Sequence, residues 1–130
     1  MTGLMITAMF LVTGIIHLLP VMGVGSAERV STLYGIAVED PNPEILMRHR
    51  AILFGLLGAF LIWAGFNPVL QPAGFVAGFV SMLSFIGLSW SVGGYNAALR
   101  RVVIADVVVV VCLVFGAVLY LVQMASPVGA

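Results

Sequence analysis

Hydrophobic positions fall into four long runs, at residues 2–19, 45–66, 70–90 and 102–123. Polar and turn-forming residues separate them. A helix needs about 20 apolar residues to cross a hydrocarbon layer ~30 Å thick, and each run is of that order. Backbone groups in lipid must be satisfied within the segment, which favours helices. Membrane strands would alternate apolar and polar residues over about ten positions, and these runs do not alternate. The pattern predicts an all-α integral membrane four-helix bundle.

The connections differ in character. Between the first and second runs, Ser26 is placed to cap a short helix over residues 27–34, and Gly35 to end it. Val30, Leu33 and Tyr34 share one face of that helix, while Glu28, Arg29 and Ser31 look outward. It reads as a helix lying in the membrane interface. Glu39-Asp40-Pro41-Asn42-Pro43-Glu44 reads as a turn-rich break. Residues 67–72 form a tight, uncharged hairpin. Gly93 and Gly94 mark a sharp turn, after which the fourth helix is expected to start early, over residues 97–101.

Composition agrees with the pattern. The chain has 130 residues, 62% hydrophobic and 8% charged, where soluble domains carry about 25% charged residues. All 130 residues are read as one transmembrane domain. No Lys or Arg precedes Glu28, so the first run lacks the basic start of a signal peptide and is read as a retained helix. All five basic residues are Arg, and they flank the first and third connections. The positive-inside bias puts these connections in the cytoplasm and both termini in the periplasm or outside. The expected location is the inner membrane of a bacterium. Net charge is zero, which gives no reason to expect nucleic acid as a partner. Cys112 is the lone cysteine; it allows no intrachain disulfide and no thiolate metal site.

Helices in lipid associate through close backbone approach. Gly74, Ala77, Gly78, Ser81, Ser84, Gly87 and Ser91 form a stripe of small residues on the third run. Ala51, Gly55 and Ala59 form another on the second, with Gly58 beside it. These two faces are expected to pack on each other. A homodimer through Gly74 and Gly78 is the alternative use of the third run's stripe.

All four runs deliver polar groups to one depth. The candidate ligand-binding residues are His17, Arg48, Arg50, Tyr95, Asn96 and Asp106. Asp106 is followed by five valines, and an unpaired carboxylate inside a membrane is costly. It should point into the bundle and meet Arg50 or Arg48. That pair reads either as a structural clasp or as a device that orients a ligand-binding Arg. His17 reads as a hydrogen-bonded structural residue or as a proton donor or acceptor for a ligand head. His49, about 100° from each flanking Arg around the helix, should face the interface. No His-x-x-x-His or Glu-x-x-His pair occurs, so no metal is expected. No phosphate loop of Walker type occurs either.

Several of these segments occur together in a known group. Gly14-Ile15-Ile16-His17-Leu18-Leu19-Pro20, Leu33-Tyr34-Gly35, and Arg48-His49-Arg50-Ala51 with Gly55 and Gly58 cover the first half. Ser89-Trp90-Ser91-Val92-Gly93-Gly94-Tyr95-Asn96 and Asp106 extend the pattern. The chain resembles small bacterial four-helix membrane proteins of the DoxX-like class. That resemblance implies a quinone or membrane lipid as ligand. Some members of the group carry the name phosphopantetheine adenylyltransferase, an activity that does not suit this chain. That enzyme is a soluble α/β protein with a His-x-Gly-His-type motif, whereas Leu18, Leu19 and Pro20 follow His17 here. The expected function is binding of a lipid-like or quinone-like ligand in a polar pocket at the cytoplasmic end. An accessory subunit of a membrane complex is the alternative, a small proton-coupled transporter ranks below it, and enzymatic activity stays open.

Overall fold

A computed structural model of the chain describes residues 1–126. Among the described residues there are five α-helices: α1 (Thr2–Leu18), α2 (Ala27–Tyr34), α3 (Pro41–Phe66), α4 (Gln71–Val92) and α5 (Ala97–Ala125). A 3-10 helix, Leu19–Gly25, continues α1. Four helical segments, with α1 and the 3-10 helix counted together, are long and apolar enough to cross a membrane. The chain is thus a multi-pass, all-α membrane protein.

The bundle is closed in the order α1, α3, α4, α5, with α5 returning to α1. The short α2 lies across one end, against the 3-10 helix, α3 and α5. All charged side chains fall at that end, because it gathers the close of α1 and α4 and the start of α3 and α5. At ~1.5 Å per residue, the 29 residues of α5 span about 43 Å, some 13 Å more than a hydrocarbon layer. The excess lies in its charged first turns.

Two boundaries depart from the sequence pattern. The helix of the second run begins at Pro41, inside the expected break. Proline is accepted in the first helical turn, where the missing N–H would have no partner. Asp40 starts the helix, its Oδ1 accepting from the Asn42 N–H at 2.8 Å. At Leu19, one residue before Pro20, the first run tightens to a 3-10 helix and continues to Gly25. The short helix expected over residues 27–34 is present as α2, with Ser26 Oγ accepting from the Arg29 N–H and Gly35 closing it at φ 63.

Inside a bilayer the two sides of a helix are equally apolar, so packing selects the contact faces. Here α1 and α3 make the closest approach. A Cβ added to Gly14 would come within 2.6 Å of Ile62 Cγ1 and 2.8 Å of the Gly58 carbonyl oxygen. One added to Gly58 would come within 2.8 Å of the Gly14 carbonyl oxygen. Thr7 Oγ1 donates to the Gly65 carbonyl at 2.7 Å. The glycines of α3 therefore serve α1 and the 3-10 helix that continues it, and not α4 as their stripe suggested. Phe10 of α1 enters the centre of the bundle, 4.7 Å from the Phe75 ring. Gly74 makes room for it, and Gly78 makes room for Leu113. Both glycines are buried within the bundle.

Gly14→Ala should therefore destabilise the fold by about 1–3 kcal/mol through overpacking. Gly87→Ala, where a Cβ meets nothing within 4 Å, should be neutral or stabilising by up to about 1 kcal/mol. Thermal melts in detergent followed by circular dichroism compare the two. Equal melting of Gly14→Ala and wild type would contradict the close approach.

Candidate functional site

Beneath α2 lies a cavity of about 460 Å³. Ile16, His17, Leu19 and Pro20 form one wall, and Ala98, Arg101, Val102, Ala105 and Asp106 of α5 the opposite one. Arg50 and Phe54 of α3 form the back, and Thr32, Leu33 and Tyr34 of α2 the roof. The lining is mostly apolar, with a few polar groups, and the volume falls in the range of small-molecule sites. Leu19, Thr32 and Arg101 are exposed at the opening.

Arg50 and Asp106 each stand nine residues beyond the first residue of their helix, Pro41 and Ala97. They therefore reach a similar depth, about 13 Å along the two parallel helices. Both are half-buried and line the cavity. The guanidinium carbon of Arg50 lies 4.7 Å from the Phe54 ring centre, 5.2 Å from Phe85 and 5.6 Å from Tyr34. Its Nη1 donates to Tyr34 Oη at 3.3 Å. Aromatic faces attract the cation and replace part of the hydration it gives up. Phe54 stands one turn beyond Arg50 on α3, and Phe85 comes from α4.

The expected clasp of Asp106 with Arg48 or Arg50 is not formed as a direct ion pair. The ion pair among the described residues joins Arg48 to Glu44 at 2.9 Å. Arg48 and Arg50 are two positions apart, about 200° around the helix, so they cannot share a face. Arg48 instead donates through Nε to the Val24 carbonyl at 2.8 Å and ties α3 to the 3-10 helix. Asp106 has no hydrogen-bond donor among the described side chains.

His17 is buried at the cavity wall with both nitrogens engaged. Nδ1 lies 2.9 Å from the Thr13 carbonyl, which can only accept, so Nδ1 carries a proton. In the neutral ring Nε2 then accepts from Ser81 Oγ, at 3.0 Å. His17 thereby links α1 to α4.

Asn96 is a fastener. Its Nδ2 donates to the Tyr34 carbonyl at 2.9 Å and the Gly35 carbonyl at 3.0 Å. Its Oδ1 accepts from the Leu99 N–H at 2.9 Å and caps α5. Tyr95 lines a separate cleft of about 210 Å³ with Ser89 and Leu99. His49 is exposed, as expected. The structure thus brings His17, Arg50 and Asp106 to one cavity and places Arg48, Tyr95 and Asn96 elsewhere. It adds Tyr34, Phe54 and Phe85. Phe54 was within reach of sequence reasoning as the i+4 neighbour of Arg50; nothing in the sequence pointed to Phe85. Among the described residues, no three His, Cys, Asp or Glu side chains gather to hold a metal ion.

Comparison with known proteins adds no relative: no family model, curated protein or solved structure matches the chain.

Tyr34 reports on both charges of the cavity. Burial lifts its phenol above the ordinary range; the Arg50 charge and hydrogen bond pull it back, and the Asp106 charge pushes it up. The fold therefore favours the neutral phenol. This contribution to stability is full below the ordinary tyrosine value of about 10 and is lost as pH rises through the higher folded value. Arg50→Gln should move tyrosinate formation to still higher pH, and Asp106→Asn to lower pH. Ultraviolet titration against a Tyr34→Phe reference measures both shifts, and unchanged curves would place Tyr34 outside the field of these groups.

Proposed function

We propose that the chain is a bacterial inner-membrane protein that binds a lipid-like or quinone-like amphiphile in the cavity beneath α2. Its charged end faces the cytoplasm on this reading, since all five Arg lie there, and both termini face the periplasm. A place in the DoxX-like class accords with the helix pattern and with the glycine and polar segments that carry the resemblance.

One observation carries the binding reading. Arg50 and Asp106 line a single cavity at one depth, half-buried, without a direct ion pair between them. Charges in such a layer require compensation. The rest of the lining is mostly apolar, with Ile16, Leu19 and Pro20 on one wall and Ala98, Val102 and Ala105 on the other, which suits a tail lying between those helices. A polar head would then meet Arg50 and Asp106, with Tyr34 above. The same geometry gives less support to a proton-coupled transporter, because Asp106 stands near one end of α5 and the apolar remainder of that helix supplies no second acid.

Ala105→Trp should fill the cavity from α5. Menaquinone, ubiquinone or phosphatidylglycerol, added in turn to protein in detergent, should include a ligand that raises the melting temperature. The rise should be roughly 10 °C at about a hundredfold excess over Kd, and Ala105→Trp should abolish it. No shift with any of the three, together with no copurifying lipid by mass spectrometry, would overturn the reading.

A further inference from the structure

We infer that the cavity selects an amphiphile with an uncharged head that both donates and accepts hydrogen bonds, such as a hydroxyl-bearing lipid, over one with an ionic head. This rests on the reading that the cavity holds an amphiphile, and names the chemistry it recognises. Arg50 offers five N–H donors and no acceptor. Tyr34 Oη takes one of them, and the rings of Phe54, Phe85 and Tyr34 stand around the guanidinium. Asp106, as a carboxylate, offers acceptors only, and no described side chain donates to it. The two groups face one cavity without forming a direct pair.

A head between them meets donors on the α3 side and acceptors on the α5 side. Their charges are opposite and sum to zero. A ligand anion would gain from Arg50 and be repelled by Asp106; a ligand cation would meet the reverse. Neither gains a net field to offset the loss of its hydration. A hydroxyl-bearing head avoids that loss: one oxygen accepts from Arg50 while an O–H donates to Asp106. Arg101 also lines the cavity but is exposed at its opening, where solvent and salt weaken its influence on the head.

Native mass spectrometry of the full-length protein in detergent, titrated with three probes, tests this. Monooleoylglycerol supplies an uncharged diol head, hexadecanesulfonate a fixed anion and hexadecyltrimethylammonium a fixed cation. Wild type should bind monooleoylglycerol about tenfold more tightly than either ion. Asp106→Asn should strengthen sulfonate binding about tenfold, and Arg50→Gln should do the same for the ammonium. Wild type binding either ion as tightly as monooleoylglycerol overturns the selectivity while the binding reading stands. A wild type that binds none of the three, and no quinone or phospholipid, removes that reading and the selectivity with it. Should either variant fail to fold by circular dichroism, the wild-type ranking alone decides.

Discussion

The contact of two helix backbones at Gly14 and Gly58 is the constraint on which the bundle depends. In lipid there is no water to expel from between helices, so association rests on how closely atoms can approach. Without side chains at these two positions, α1 lies directly on α3. That approach drives Phe10 into the centre, where Gly65 and Gly74 receive it. It also aligns the end of α1 with the first turns of α3, so that His17 and Phe54 come to stand 5.6 Å apart, ring centre to ring centre. The inner wall of the cavity is thus a by-product of glycine packing elsewhere on the same pair of helices.

The charged end handles its ionic groups in two ways. Arg48 is held by Glu44 and a backbone carbonyl, while Arg29, Arg100 and Arg101 are exposed. These are ordinary solutions for cations at a membrane boundary. Arg50 is treated differently, with three aromatic rings around it and one phenol oxygen beside it. Aromatic surroundings steady a cation without neutralising it, so the charge still acts across the cavity toward α5. The helix that carries Asp106 is also the most valine-rich, which leaves the carboxylate with few local alternatives.

Four spans, a capped crossing helix and a charged end could be read from hydropathy, from Ser26 and Gly35, and from the distribution of Arg. Those features are local, so local rules reach them. The choice of helix partners was not legible. Gly55 and Gly58 advertise a close contact without naming the partner, and sequence adjacency pointed to α4 where packing selected α1. The polar layer was legible as a depth and less so as a site. Spacing placed six groups at one level, but only the rotation of each helix about its axis decides which face the same space. Arg48 and Arg50 show the difference: they are near neighbours in sequence and serve opposite faces of one helix. Asn96 shows another limit, since a polar residue after a glycine turn looks the same whether it meets a ligand or the backbone.

That asparagine has a mechanical consequence. By capping α5 and gripping the last carbonyls of α2 with the same amide, Asn96 couples the roof of the cavity to the helix that bears the carboxylate. The roof is also tied to the opposite side, because α2 packs on the 3-10 helix and α3 and Tyr34 Oη accepts from Arg50. The cover is thus anchored on both sides of the chamber, to the helix of the cation through Tyr34 and to the helix of the acid through Asn96.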